Sequence, residues 1–362
     1  MTKDTMPGTG QAGERKRILI ISVNWIGDVI FTTPFIKAVR DAYPDSYIAC
    51  LIHPRCREMI ESNPRLNEIM IYDEEGAHRS LWGKIGLIRM LKNKNFDTVF
   101  ILHRSFTRAL LAYMAGIRER IGYSTKHRSL LLTKAVEEPP EALHKVEYFL
   151  NLAKTAGIDA RANSYEFFVR DPDRQSIRRL LQEEGVGDTD MLITICPGGN
   201  WDPKRWPKEN FAKVADLLAE KLGARIAIAG AAKDIGLAGE IRAMMKAKPV
   251  MTCGKTTLRQ LAALLERSGL VVANDTGPMH IAVSMKTNVI ALFGPTSPRL
   301  TGPYGTGSYR VISRNDTCDI PCYDSTCREN RCMAAITVEE VFRAAEEMLA
   351  QNLKSNARSS RL

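Results

Sequence analysis

Long apolar runs are missing from this chain. Although 44% of the 362 residues are hydrophobic, no run approaches the roughly 20 consecutive apolar residues that a helix needs to span a bilayer. The segment Met1–Gly13 is polar and lacks the apolar core that a signal peptide requires. We therefore expect a globular protein of the cytoplasm, with disorder in residues 1–14 and 353–362.

Several common nucleotide-binding and catalytic motifs are also absent. The loop after the first apolar run reads Asn24-Trp25-Ile26-Gly27-Asp28 instead of G-x-G-x-x-G, which argues against a nicotinamide-dependent dehydrogenase. Gly254-Lys255-Thr256 resembles the end of a P-loop, but Pro249 stands where that motif needs its first glycine. Neither G-x-S-x-G nor H-E-x-x-H occurs.

What the chain does contain is a regular alternation of short apolar runs with amphipathic stretches. Such alternation predicts βαβ units and an α/β fold, here two Rossmann-like domains in tandem across a cleft. We expect a first domain over residues 15–170, a second over 171–336 and a C-terminal helix over 337–352. The predicted strands are Arg17–Val23, Tyr47–Ile52, Glu68–Tyr72, Thr98–Leu102, Met191–Ile195, Ala224–Ala229, Val250–Thr252, Leu270–Ala273 and Asn288–Phe293.

Two glycine-bearing segments follow predicted strands of the second half. The first runs from Cys196 to Pro207 and contains Gly198, Gly199, Lys204 and Arg205. The second, Asn274–His280, contains Asp275, Thr276 and Gly277. Glycines at a strand-to-helix turn let backbone N–H groups approach a ligand, and a helix N-terminus favours negative charge. The pattern indicates a nucleotide-diphosphate compound.

Ordinary structural roles compete with these functional interpretations. Asp28, Asp275 and Thr276 stand where helix-capping residues are common. Asp28 could instead be a general base at the cleft, although a helix N-terminus should lower the pKa of its carboxyl. His280 could be a packed neutral histidine, and Lys204 an ordinary surface charge.

Basic residues are concentrated in the first half. Seven lysines and arginines lie between His103 and Lys134 against one acid, Glu119, in a chain of net charge +10. A solvated surface would explain them, but their clustering favours an acidic membrane surface or a phosphorylated substrate. No nucleic-acid-binding motif is present, so we expect no nucleic-acid partner.

Four of the eight cysteines form a late cluster: Cys318, Cys322, Cys327 and Cys332. Their C-x3-C-x4-C-x4-C spacing is dense enough to bind metal but is not a standard zinc spacing. Because a reducing cytoplasm disfavours disulfides, the alternatives are a structural zinc site and a reduced cluster that packs under the last helix.

Together these motifs resemble the ADP-heptose:lipopolysaccharide heptosyltransferases, glycosyltransferase family 9, over nearly the whole chain. Four segments match in order: Gly27-Asp28, Pro197–Pro207, Asp275–His280 and Phe293–Thr296. The Asn24–Asp28 loop is similar to that of the heptosyltransferase II branch. The resemblance implies a GT-B fold and an inverting transfer of heptose from ADP-heptose to the lipopolysaccharide inner core, the second heptose onto heptose I.

The resemblance also implies roles for single residues. It implies that catalysis needs no metal or other cofactor. Asp28 would be the base, and Lys204, Thr276 and Gly277 would bind the diphosphate. Further donor contacts would come from Gly198, Gly199, Asp234, Asp275 and His280. From the clustering of basic residues, we expect the acceptor, lipid A with its core, to meet Arg104, Arg118, Arg120 and Arg128 at the cytoplasmic face of the inner membrane. Alternatives are a transferase or epimerase acting on a UDP-sugar, and a non-catalytic nucleotide-sugar binding protein.

Overall fold

The computed structural model describes residues 15–161, 164–314 and 316–359, with side chains up to residue 351. Its first half alternates strands and helices. The strands are β1 (Arg17–Ile21), β2 (Tyr47–Ile52), β3 (Glu68–Ile71), β4 (Thr98–Ile101), β5 (Glu119–Tyr123) and β6 (Lys134–Val136). The helices are α1 (Ile26–Ala42), α2 (Leu81–Asn93), α3 (Phe106–Met114) and α4 (Lys145–Thr155).

The second half repeats this pattern. Its strands are β7 (Leu192–Cys196), β8 (Arg225–Ile228), β9 (Val250–Met251), β10 (Leu270–Asn274), β11 (Asn288–Phe293) and β12 (Tyr309–Ser313). Its helices are α5 (Asp171–Glu183), α6 (Lys208–Leu222), α7 (Ile235–Met244), α8 (Leu258–Arg267), α9 (Gly277–Ser284), α10 (Pro298–Thr301), α11 (Arg331–Ala334) and α12 (Val338–Ser359). The last helix continues past its predicted end at residue 352. The predicted disorder of residues 1–14, and of 360–362, lies outside the described residues.

Both sheets are parallel and have the same strand order. The first is β3-β2-β1-β4-β5-β6, and the second, from its other edge, is β9-β8-β7-β10-β11-β12. The predicted α/β fold with two Rossmann-like domains is confirmed. In such sheets the strand order reverses between the first and fourth strands, and ligands bind there, outside the carboxyl ends of the strands. The loops after β1, β7 and β10 all lie at this point of their sheet.

The burial of the strands explains why they could be predicted from apolar runs in the sequence. Every residue of β10 and β11 is buried, as expected for parallel strands covered by helices on both faces. In β1, Leu19 and Ile21 pack under α2 and α3, whereas Ile18 and Ile20 pack with α1 and α4. Within the described residues, no helix combines the length and apolar character needed to cross a membrane.

The two halves meet through packed rings and hydrogen bonds. The Phe31 ring of α1 lies 4.7 Å from the ring of His280 in α9. The hydroxyl of Tyr165 donates to the Gly302 carbonyl at 2.8 Å. On the same interface, Glu58 accepts a hydrogen bond of 2.9 Å from the backbone N–H of Leu258, the first residue of α8. These contacts hold the carboxyl ends of the two sheets against each other.

Candidate active site

The candidate site lies where α1 of the first half meets α9 of the second. Ile26, the first residue of α1, places its Cγ2 3.7 Å from the position that a Cβ on Gly277 would occupy. The loop that carries Asp28 and the turn that carries Gly277 are thus neighbours, although about 250 residues separate them in sequence. The structure therefore joins the first-half motif to a second-half motif.

Asp28 lies in the first turn of α1, which begins at Ile26. The residue before the helix is Trp25, so Asp28 is not the N-cap. Within the described residues, nothing hydrogen-bonds to its carboxylate. Burial raises the pKa of Asp28, and the charges of Lys145 and Lys204 oppose this only in part. The expected lowering of this pKa by the helix N-terminus is therefore wrong, because burial between the two halves outweighs it. A raised pKa makes Asp28 a stronger base.

Lys204 and Asp275 form a buried ion pair across the second-half motifs. The Lys204 ammonium donates to Asp275 Oδ2 at 2.6 Å, with the lysine 19% and the aspartate 5% exposed. Thr296, which follows β11, donates to the same oxygen at 2.7 Å. The Lys204 ammonium also lies 5.0 Å from the centre of the Trp201 ring. Lys204 is therefore held in a defined position and is not an ordinary surface charge.

Asn274 holds the segment Pro197–Trp206 in place, a role that was not predicted from the sequence. Its side-chain amide donates to the carbonyls of Pro197 at 2.8 Å and Gly198 at 3.2 Å. Its Oδ1 accepts from the backbone N–H of Trp206 at 3.1 Å. Since Asn274 has no exposed surface, both ends of the loop are tied to the end of β10. An asparagine next to Asp275 was visible in the sequence, but its partners were not.

Gly198 and Asp234, both predicted to contact the donor, lie against each other. A Cβ on Gly198 would lie 2.6 Å from Asp234 Oδ2, so any other residue would collide with this carboxylate. The same oxygen accepts from the Ala231 N–H at 2.9 Å. The Gly199 carbonyl accepts from the Arg205 guanidinium at 2.7 Å. The donor contacts predicted for Asp234, Gly198 and Gly199 stay predictions.

Thr276 and His280 occupy different environments at the start of α9. Thr276 directly precedes the helix, and its hydroxyl donates to the Asn274 carbonyl at 3.2 Å. His280 is buried, with Nδ1 3.3 Å from the Tyr165 hydroxyl. Burial lowers the pKa of His280 to about 4, so its ring is neutral near pH 7. The alternative of a packed neutral histidine describes this environment, and the donor contact of His280 stays a prediction.

The four arginines predicted to bind the acceptor differ in accessibility. Arg104 is exposed and pairs with Glu138 at 2.7 Å, and Arg118 is also exposed. Arg120 donates to the Leu131 carbonyl at 2.6 Å. Arg128 is fully buried and donates to the Tyr123 carbonyl at 2.8 Å, and burial lowers its pKa to about 10. In this conformation, therefore, an acceptor can reach Arg104 and Arg118 directly but not Arg128.

A buried network supports the Asp28 loop from behind. Asn24 donates to Glu74 at 2.7 Å and accepts from the Arg108 guanidinium at 2.7 Å. Arg108 is only 3% exposed and lies 5.1 Å over the Tyr72 ring. Arg108 is one of the seven basic residues between His103 and Lys134, but in the structure it is buried and positions the loop.

The late cysteines lie close together beside α11. Cys332 is buried, Cys318 and Cys327 are half-buried, and Cys322 is exposed. Burial and the three neighbouring thiols raise the pKa of Cys332. All eight cysteines are free thiols. Among the described residues, no group of three or more His, Cys, Asp or Glu side chains is arranged to hold a metal ion. The structural zinc site stays a prediction, which would need this segment to close around the metal.

Comparisons with known proteins bear on the family and the fold of this chain. The model of glycosyltransferase family 9 (heptosyltransferase) matches residues 85–333. Lipopolysaccharide heptosyltransferase 2 of Escherichia coli K12 is 28% identical over 297 residues, covering 79% of this chain and 85% of the relative. A family 9 glycosyl transferase structure from Veillonella parvula superposes with a TM-score of 0.84 at 30% identity, covering 93% of this chain and 97% of that one. E. coli ADP-heptose lipopolysaccharide heptosyltransferase II gives a TM-score of 0.78 at 25% identity, covering 93% and 99%.

Proposed function

The chain belongs to glycosyltransferase family 9, and on this premise we propose that it transfers L-glycero-D-manno-heptose from ADP-heptose to the inner core of lipopolysaccharide. The proposed step adds the second heptose to heptose I. Its support is the similarity to heptosyltransferase II from E. coli in both sequence and structure. The reaction is an inverting displacement that needs no metal ion.

One observation carries the mechanism: the partly buried Asp28 carboxylate has no hydrogen-bond partner among the described residues, and it lies in the helix turn whose Ile26 contacts Gly277. Burial raises the pKa of this carboxyl, which improves its match to the proton that it must accept. Asp28 takes the proton from the attacking hydroxyl of the acceptor as the new bond to the anomeric carbon forms. The bond from that carbon to the diphosphate breaks, and its electron pair leaves with ADP.

Negative charge then develops on the departing diphosphate, and the second half supplies the positive charge to meet it. Lys204 lies beside Asp275 at 2.6 Å, and α9 begins at Gly277, where a helix N-terminus offers backbone N–H donors and partial positive charge to an anion. Fixed donors of this kind stabilise developing charge without reorganisation. In the proposed mechanism they replace the divalent cation that other sugar-nucleotide transfers use.

The acceptor is anchored in lipid, so the proposal places the enzyme at the cytoplasmic face of the inner membrane. Arg104 and Arg118 lie on the surface of the first half and are suited to phosphate groups of the core. Salt should weaken these contacts, because exposed charges are screened over about 10 Å at 0.1 M ionic strength.

The test is transfer by purified protein from ADP-heptose to a core acceptor that ends in heptose I, followed by ADP release and by the mass gain of the acceptor. Asp28→Asn should bind ADP normally but turn over roughly a hundredfold more slowly or worse, the usual scale for a lost general base. Asp202→Asn is the matched control, because Asp202 lies in the segment Cys196–Pro207 but its side chain is 86% exposed. Turnover by Asp28→Asn at the wild-type rate, or transfer from a UDP-sugar instead of ADP-heptose, would contradict the proposal.

A further inference from the structure

The net charge of the chain resides in one segment. Residues 76–136 contain twelve lysines and arginines against two acids, Asp97 and Glu119. This excess of ten equals the net charge of the entire chain, so the remainder is neutral overall. The segment supplies α2, α3 and a 3-10 turn at Ser129–Leu131. We call these three elements the outer layer.

The outer layer covers one face of the first sheet and turns its other side to solvent. Leu87 and Leu91 of α2 and Leu111 of α3 pack against β1 and β4. Neither α2 nor α3 contains an acidic residue. Arg89 and Lys92 of α2 are exposed, whereas Arg108, the one charged residue of α3, is buried, so the exposed charges of these two helices are positive.

Exposed apolar side chains are concentrated on the same face. Among the described residues, eleven large hydrophobic side chains are exposed, and seven of them belong to the outer layer. Those seven are Leu81, Trp82, Met90, Phe106, Tyr113, Met114 and Leu130. Trp82 is 78% and Leu130 92% exposed, so neither contributes to the folded core. Apolar groups clustered on a surface mark an interaction site.

The helices of the outer layer begin at the same edge of the first sheet as the candidate site. Helices α2 and α3 follow β3 and β4, so their first residues lie at the carboxyl edge of the sheet, as Asp28 does. Leu81, Trp82 and Phe106 occupy these first turns. A flat surface that touches the outer layer would therefore run beside the opening of the candidate site.

We propose that the outer layer docks on a bilayer of anionic lipids, with Trp82 and Leu130 entering the headgroup boundary. Lysines and arginines around them, such as Arg89 and Lys92, contact lipid phosphates. Amphipathic surfaces with basic and apolar groups lie in the membrane plane in this way, and tryptophan favours the interface. The inference deepens the proposed function, since it gives the orientation in which a lipid-anchored acceptor would reach Asp28.

The experiment measures sedimentation of the full chain with vesicles of phosphatidylglycerol and phosphatidylethanolamine in a ratio of 3 to 7, and with vesicles of phosphatidylcholine alone. Wild type should bind the anionic vesicles and not the neutral ones. Trp82→Ser and Leu130→Ser should each weaken binding about tenfold, the scale for removing one large apolar side chain from a buried position. Met244→Ser is the matched control, because Met244 is exposed on the second half and should bind as wild type.

Two further measurements separate this proposal from the proposed function and from self-association. Turnover on a deacylated, water-soluble acceptor should be unchanged in Trp82→Ser and Leu130→Ser. Vesicle binding is measured independently of transfer, so it tests the docking surface even if the protein transfers no heptose. Unchanged vesicle binding in both variants would overturn the proposal. So would a dimer in sedimentation velocity that the same substitutions dissociate, since the face would then cover a second copy of the chain.

Discussion

The ion pair between Lys204 and Asp275 gives the sharpest test of the donor site, because it has two separable functions. In the structure, Lys204 neutralises a carboxylate that is only 5% exposed. In the proposed reaction, it also holds the donor diphosphate. Lys204→Met keeps the aliphatic stem and removes only the charge. The variant should therefore lose both stability and donor affinity.

The expected sizes follow from the surroundings of the pair. Removing one partner of a buried ion pair costs about 3–5 kcal/mol. Because Lys204 is partly exposed and Thr296 still donates to Asp275, we expect about 2–3 kcal/mol. That corresponds to a fall in Tm of roughly 4–10 °C. A lost charge-assisted hydrogen bond to the diphosphate is worth about 1.5–3 kcal/mol, so ADP should bind about tenfold to a hundredfold more weakly.

A second substitution separates the two functions. Asp275→Asn removes the charge that Lys204 neutralises and leaves an amide oxygen for Thr296. Adding it to Lys204→Met should restore most of the Tm, but ADP affinity should stay low. Thermal unfolding and calorimetric titration with ADP measure these quantities. Lys208→Met is the matched control, because Lys208 pairs with Glu240 on the exposed surface.

One result would refute this reasoning. If the double variant regains both the Tm and the affinity for ADP, then Lys204 serves only to neutralise Asp275. The diphosphate would then depend on the backbone N–H groups at the start of α9, and Lys204 would have no direct part in transfer.

The remaining predictions concern the base, the acceptor and metal. Lys145 lowers the pKa of Asp28, so Lys145→Met should raise the pKa of Asp28 further. Because the base must be deprotonated, the acid limb of the pH profile of kcat/KM should move to higher pH. An acid limb at the wild-type pH would contradict this. Arg118→Ala should raise the acceptor KM and leave the ADP-heptose KM unchanged, whereas Arg128→Met should lower the Tm; equal effects of Arg118→Ala on both KM values would be contrary evidence. Chelation with EDTA should not slow transfer, and strict dependence on Mg²⁺ would rule out the metal-free mechanism. Elemental analysis of protein purified without chelator tests zinc at the 318–332 segment, with about one zinc per chain expected of a structural site.

Much of the fold was predictable because parallel strands buried on both faces are apolar throughout. The runs that became β1, β7, β10 and β11 show this character in sequence. β5 was missed because its exposed first residue, Glu119, and Arg120 are charged. β6 has only three residues and lies at the sheet edge, where the apolar signal is weakest. Short edge strands are defined by their neighbours, which a single sequence does not reveal.

The site was predictable only where it depends on local chemistry. Glycines after a strand predicted phosphate-binding turns, and the structure brings two of the predicted donor residues, Lys204 and Asp275, into direct contact. The supporting partners were not predicted, because Thr296 and Asn274 hydrogen-bond to residues 21 and 77 positions away in the sequence. Arg128 was misleading for a different reason: in a sequence, a buried arginine that binds carbonyls looks the same as an exposed one.

The pKa of Asp28 shows why the two halves must be considered together. From its own helix, Asp28 should be a weak base, since the N-terminus of α1 favours the charged form. In the structure, the second half covers it, and burial raises its pKa against the opposing charges of Lys145 and Lys204.

Lys145 belongs to the first half, but Lys204 and the turn at Gly277 belong to the second. The strength of the base is therefore a property of the contact between the halves: separation would expose the carboxylate to water and remove the cause of its raised pKa. In the proposed mechanism, proton removal by Asp28 and stabilisation of the diphosphate therefore require the same closed arrangement, and an open cleft would lack both an effective base and a complete donor site.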